Sequence, residues 1–353
     1  VDKLKELGAE GARPMNLKRQ ATSIISEIEW PKEEVDYETD AEHFLEQAKE
    51  SQKMVTEDEK VKPDSNAGVS NQLEVVYDSK LGPYSLTMTK VDVKVGGYGE
   101  YLFYVMQVLH EKNRDCYILF TRWGRIGENG AFQQTPFGTK EECVAEFCKI
   151  FKDKSGNAWE DKDNFEKVKK KYQLLRFDKR VNHHEYLKPF DMKDPSYPKT
   201  SLPKEVRSII EDITSVKMYQ KGFDQFNIDR EYLPMNQLSK DILVEAKAIL
   251  LEISEMIDEI EKLRVGRNNA EKIDEILKLS EEISDKSSRF YELIPTKQYH
   301  NSAIPPINNK YQLKQQADMV DALLDYEIAI KTILGSLHRM KEINPLEYCY
   351  NAM

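Results

Sequence analysis

The most constraining feature of this chain is the run Ile242, Ala246, Ile249, Leu250, Ile253, Ile257, Ile260, an apolar stripe at three-and-four spacing. Such a stripe fits one face of a long α-helix and does not fit a strand, whose faces alternate every second residue. It has companions. Leu202-Pro203 opens a segment with Val206, Ile209, Ile210, Ile213 and Val216 on one face; Ala270 to about Leu293 reads as another helix, stopped before Pro295; Leu313, Ala317, Val320, Leu324, Ile328, Leu334 and Leu337 mark a last one. Gly266 and Asn268-Asn269 separate the second and third. Four or more amphipathic helices with short connections imply a bundle.

Upstream the texture changes. "YSLTMTKVDVKVGGYG", "YLFYVMQVLHE" and "CYILFTRWGRIG" are β-branched and aromatic runs broken by Gly96-Gly97, "EKNRD" and Gly127 to Gly130, the pattern of antiparallel strands joined by turns. The following "TKEECVAEFCKIFKDKSGNAW" places Cys143, Phe147, Ile150 and Phe151 on one helical stripe with Thr139 as N-cap. Before the strands, "DEKVKPDSNAGVSNQ" has the Pro, Gly, Ser and Asn content of a linker. Residues 1 to about 65 read as an α/β piece, with a short helix at Val1 to Leu7 and an apolar strand at Thr22 to Ile25. The fold class expected is therefore α+β and multidomain: an α/β piece, an antiparallel sheet with a packed helix, then an all-α bundle.

Composition narrows the function classes. Of 353 residues, 32% are charged and the net charge is −10, so any phosphate contact must come from a local basic patch. Lys167, Lys169, Lys170 and Lys171, followed by Arg176, Lys179 and Arg180, form one candidate; an ordinary solvated face is the other reading. No run approaches the roughly 18 apolar residues that cross a bilayer, so no membrane partner is expected. The four cysteines, Cys116, Cys143, Cys148 and Cys349, form no C-x-x-C pair and read as reduced thiols; with His183-His184 as the one histidine pair, no metal site is expected. No phosphate-cradling glycine loop or nucleophile elbow occurs. The chain opens on Val1 without a secretory signal, as a piece of a longer product does.

The chemistry-bearing stretch is Trp123-Gly124-Arg125. Two residues apart on an extended segment, Trp123 and Arg125 leave the same face. An indole stacks on a sugar or base, a guanidinium grips phosphate with paired hydrogen bonds, and Gly124 lets a ligand or backbone approach. The same residues also suit a rim tryptophan with a stacked arginine, a cation–π pair worth ~0.5–1 kcal/mol. Residue chemistry alone leaves both open.

"WGRIG", followed by "KEECVAEFCKIFKDKSGNAW" and "FEKVKKKY", resembles the WGR domain of poly(ADP-ribose) polymerases. "LPKEVRSIIEDI", "LPMNQLSKDILVEAKAILLEI", "SSRFYELIPTK" and "ADMVDALLDYEIAIKTIL" resemble the regulatory helical domain that precedes catalysis in that family. The first 65 residues are more weakly similar to the later part of a BRCT fold. The resemblance implies a partial BRCT-like segment at 1–65, a linker at 66–80, a WGR domain at 81–180, a regulatory domain at 198–341 and the start of a catalytic domain at 342–353.

It further implies a nuclear protein of DNA repair that binds DNA strand breaks. Trp123 would stack on the terminal sugar, Arg125 would hold a phosphate and bridge to the helical domain, and Lys170 and Lys171 would add phosphate contacts. Gly124 and Tyr101 complete the expected DNA-binding set. Tyr101 stands in "YLFY", where the family often has an asparagine before a paired aromatic; a phenol lacks the amide's two-sided geometry. Phe290, Tyr291, Leu293 and Ile294 match the buried segment of the regulatory domain, a lid that blocks NAD+ entry until DNA contact loosens it. The transferase triad of His, Tyr and Glu would follow "NPLEYCYNAM"; His338 and Glu347 do not match it, so no catalytic residue and no bound cofactor is assigned, NAD+ being the substrate of the complete enzyme. The partners implied are a DNA break and a following ADP-ribosyltransferase domain. Two other readings are a short product that binds DNA or protein without catalysis, and an interaction scaffold whose WGR surface does not read DNA.

Overall fold

The computed structural model describes residues 61–68, 72–177, 197–227, 238–265, 270–299, 301–339 and 343–352. The BRCT-like reading of 1–65 lies almost wholly outside them, as do His183, His184, Lys179 and Arg180.

The sheet is built from β1 (Leu73–Val75), β4 (Ser85–Asp92), β5 (Glu100–Glu111), β6 (Cys116–Arg125), β7 (Ala131–Phe137) and β8 (Gln173–Leu175), in the order β7-β6-β5-β4-β8 with β1 beside β5. All pairings are antiparallel. The short β2 (Tyr77–Asp78) and β3 (Gly82–Pro83) pair with each other. The stretch 66–80, expected as a linker in the domain division, holds β1: Leu73 and Val75 are buried and pair with Glu111 and Leu109. Its turn-forming residues are real, but they flank a strand that composition cannot register, because three alternating residues carry no periodic signal.

β5 shows why the domain needs cover on both sides. Its even residues Met106 and Val108 pack against α1 (Lys140–Ser155), together with Phe147, Phe151 and Trp159. Thr139 caps α1 by accepting the Glu142 N–H, and Gly156 ends it at φ +81 with its own N–H on the Lys152 carbonyl. In this cluster, burial pushes the Cys143 thiol up to about 12, so it is an inert core group. The odd residues of β5 meet two different partners. Leu109 lies under the segment around Ala67, and Tyr101, Phe103 and Val105 lie under the helical part.

That part comprises α2 (Lys204–Ile213), α3 (Val216–Gln225), α4 (Lys240–Leu263), α5 (Ala270–Leu293), α6 (Lys310–Arg339) and α7 (Pro345–Ala352). The α4 stripe is buried throughout, from Ile242 at 5% exposure to Ile260 at 7%, and it packs with Ile283, Phe290 and Val320. Where the sequence suggested one helix running through Val216, the chain breaks at Thr214-Ser215; Ile209 and Ile213 are exposed, Val206 is half-buried and Ile210 is buried. At the break the Thr214 hydroxyl and N–H both donate to the Ile210 carbonyl.

The described residues 343–352, within the stretch expected to begin another domain, instead pack onto this one. Leu346 and Cys349 of α7 are fully buried against Ile210, with Leu202 and Val206 beside them. Glu347 accepts from the Ser201 N–H and hydroxyl and from Thr200 Oγ1. Its partial burial raises the carboxyl pKa, but these three bonds outweigh that and leave it lowered. A depressed folded-state pKa gives stability that is present above the ordinary glutamate range and lost as pH falls through the folded value. Glu347→Gln is therefore expected to flatten the acid limb of a stability–pH profile measured by urea unfolding, the parent losing more stability than the variant as pH falls below 4.5.

Candidate nucleic-acid interface

Trp123 and Arg125 sit at the end of β6, opposite Tyr104 and Leu102 of β5. Gly124 between them and Gly130 beyond the turn are required by close approach. A Cβ on Gly130 would stand 2.4 Å from the Trp123 carbonyl oxygen, and its φ of +76 already favours glycine; a Cβ on Gly124 would stand 2.8 Å from Gly130 Cα. The tight turn presses the WGR stretch onto the next strand and fixes where the indole points.

The two side chains part company, contrary to the shared face that alternation implies. Trp123 stacks on Tyr104, centroids 6.3 Å apart and planes 21° from parallel, and remains 37% exposed. Arg125 reaches across the sheet end instead. Its guanidinium donates to the carbonyls of Gly99 (3.2 Å), Tyr98 (3.3 Å), Tyr299 (3.2 Å) and Ser302 (2.9 Å), and lies 5.7 Å from the Tyr101 ring centroid. The long side chain of a strand-terminal residue can turn toward a set of converging loop carbonyls, which the period-two rule does not anticipate. Two of those carbonyls belong to the loop before β5 and two to the segment after α5, so Arg125 ties the sheet to the helices.

Tyr101 does not join an exposed DNA-contacting set. It is fully buried, its ring edge-on to Tyr299, and its hydroxyl donates to the Thr296 carbonyl at 2.6 Å. Burial raises its phenol pKa above the usual tyrosine range. The reason is the parity of β5: odd positions face the helices, whereas Tyr104, an even position, sits with Trp123.

The basic stretch divides as well. Lys170 is exposed at φ +65. Lys171 is half-buried and donates to the Asp153 carbonyl at 2.5 Å. Lys167 turns inward and pairs with Glu292 of α5 at 2.5 Å. Sequence reasoning missed Glu292, which is 4% exposed and also accepts from the Val91 N–H, while Thr89 Oγ1 donates to its main-chain carbonyl at 2.6 Å. A glutamate inside the apolar run "RFYELI" was the available signal, since a buried charge needs a partner. Ser288 Oγ accepts the Val93 N–H, and Lys94 pairs with Asp285, extending the junction along α5.

Phe290, Tyr291, Leu293 and Ile294 are all buried at this junction, in one cluster with Val91, Tyr101, Phe103 and Ile126 of the sheet part. They form the core that joins the sheet to the bundle. No group of metal-binding side chains occurs among the described residues, and no described helix is long and apolar enough to cross a membrane.

Comparison with known proteins accounts for this arrangement. The WGR domain model matches residues 84–166, and the model of the poly(ADP-ribose) polymerase regulatory domain matches residues 200–350, taking in most of α7. The poly [ADP-ribose] polymerase tankyrase of Caenorhabditis elegans is 26% identical over 324 residues, 90% of this chain and 14% of that protein. Poly [ADP-ribose] polymerase 1 of Danio rerio is 29% identical over 292 residues, 82% of this chain and 26% of that protein. Poly [ADP-ribose] polymerase 1 of Oryza sativa subsp. japonica is 30% identical over 299 residues, 82% of this chain and 28% of that protein. The chain thus spans between 14% and 28% of the length of these relatives. A WGR domain followed by this regulatory domain, in a chain that aligns with these enzymes across both, belongs to the poly(ADP-ribose) polymerase family.

Proposed function

We propose that this chain is the DNA-break-sensing and autoinhibitory regulatory part of a nuclear NAD+ ADP-ribosyltransferase acting in DNA repair. The observation that carries the reading is Arg125. It lies two residues from a partly exposed indole and donates to carbonyls on both sides of the sheet–helix junction. A DNA end that stacks on Trp123 and draws on the Arg125 guanidinium pulls on the segment leaving α5. Lys170, exposed in the lysine-rich loop, supplies a further phosphate contact. The helical part then acts as the lid over NAD+ entry to an ADP-ribosyltransferase domain, and loosening α5 relieves the block.

Titration of a fluorescent, 5′-phosphorylated nicked duplex over a series of salt concentrations tests this. Binding should weaken with a linear log–log salt slope. Trp123→Ala should lose roughly tenfold in affinity, as removal of a stacking ring does. Arg125→Ala should lose about as much, and Arg125→Lys should not restore it, because an ammonium cannot serve four divergent carbonyls. Parent-like affinity in both alanine variants would refute the reading.

A further inference from the structure

Trp123 forms one wall of a groove of about 520 Å³ between the sheet and α1, within the size range of small-ligand sites. Its aromatic floor is Tyr104, against which Trp123 stacks and Tyr172 stands edge-on at 6.0 Å. Lys154 of α1, half-buried in the lining, holds its ammonium over the Tyr104 ring, 5.2 Å from the centroid. Gln133 of β7 lines the opposite side, its amide nitrogen donating to Thr135 Oγ1 at 3.2 Å and its amide oxygen left to accept. The one carboxylate of the lining, Glu146, is paired with Lys149 at 3.0 Å, which offsets its repulsion of a phosphate.

Flat aromatic walls, an amide at the edge and a nearby cation are the chemistry of a nucleotide: a ring to stack, an edge to hydrogen-bond, a phosphate to neutralise. We infer that this groove takes the unpaired nucleobase of a nucleotide at a DNA end, so that the chain prefers ends carrying a single-stranded or frayed base. The inference rests on the DNA-end reading of Trp123 given above. Trp123 is shared between the two: the face stacked on Tyr104 helps close the groove, and the part of the indole that stays exposed serves the end of the duplex. An amide edge accepts and donates, so the site tolerates any base and reads the presence of a base more than its identity.

The test compares duplexes with a one-nucleotide tail that carries either a base or an abasic site, alongside a blunt duplex and free deoxyadenosine monophosphate. Binding of labelled DNA to the full chain is followed by anisotropy. The base-bearing tail should bind about tenfold more tightly than the abasic tail, the contribution of one stacked base. Tyr104→Leu should bring that ratio close to one, and Gln133→Ala, on the exposed edge strand, should lower it without burdening the fold. Equal affinity of the two tails for the parent overturns the inference and leaves the DNA-end reading standing. Failure of blunt and tailed duplexes alike to bind overturns both. Free nucleotide binding as tightly as the base-bearing tail contributes would overturn the assignment to a DNA end.

Discussion

Lys167→Ala will destabilise the sheet–helix junction by about 3 kcal/mol, the low end of what breaking a buried pair costs, because it removes the nearest counter-charge of the buried Glu292 carboxylate and leaves it only Arg289, at 3.6 Å. The Lys167 side chain is 23% exposed and the Glu292 side chain 6%, and burial dominates at both: it pushes the lysine pKa down and the glutamate pKa up, with their mutual attraction opposing. Where desolvation offsets so much of the attraction, a buried pair adds little net stability over an apolar replacement of similar volume. Lys167→Met with Glu292→Leu should therefore cost little, or stabilise by ~1–4 kcal/mol. The pH dependence carries a sign. A glutamate whose folded pKa is raised binds more protons folded than unfolded above 4.5, so its contribution becomes less favourable as pH rises through the folded value. Removing Lys167 raises that pKa further, and the deficit of Lys167→Ala should shrink as the sample is acidified toward pH 4.5. Urea unfolding of the parent, both single variants and the double variant across pH measures all of this. A double variant as damaged as Lys167→Ala would contradict it.

Arg122→Met will cost a similar ~3–5 kcal/mol, on the same grounds. Its side chain is 3% exposed, donates to Asp64 Oδ2 at 2.9 Å and to the Asn129 carbonyl at 3.0 Å, and lies 4.9 Å from the Phe103 ring centroid. Asp64 in turn caps the short turn Ser65–Ala67 by accepting the Asn66 N–H, and its own N–H donates to Gln107 Oε1. The ion pair is thus the rivet that fastens the segment before β1 over Leu109, Ile118 and Phe120. Without it, Asp64 is left with a buried charge, and that segment should become the first site of limited proteolysis. Arg122→Lys should not rescue, since one ammonium cannot reproduce the fork to Asp64 and Asn129. Thermal unfolding together with protease mapping reads both effects.

What could be read from the sequence follows the physics of periodicity. The α4 stripe, the span of α5 up to Leu293, the Thr139 cap and the long strands all have enough repeats for one period to win. Features set by long-range pairing did not show. β1 is three residues long, and α7 has eight, anchored on α2 by Leu346 and Cys349, so neither is long enough to carry a periodic pattern. At the candidate interface the residue types were legible but their directions were not. Tyr101 and Tyr104 look interchangeable in "YLFY", yet strand parity sends one into the helical core and the other to the tryptophan. Arg125 shares parity with Trp123 and still leaves its face, because four carbonyls from two distant loops converge beyond the strand end.

On the proposed DNA-sensing reading, the junction assembled from Arg125, Glu292 and the Phe290–Ile294 core carries an event at Trp123 to the bundle. Hydrogen exchange, with and without a saturating 5′-phosphorylated nicked duplex, tests that claim most directly. The account predicts faster amide exchange across the helical part, greatest within Ala270–Leu293, while the strands of the sheet keep or gain protection. Unchanged exchange in Ala270–Leu293 with the duplex fully bound would contradict it.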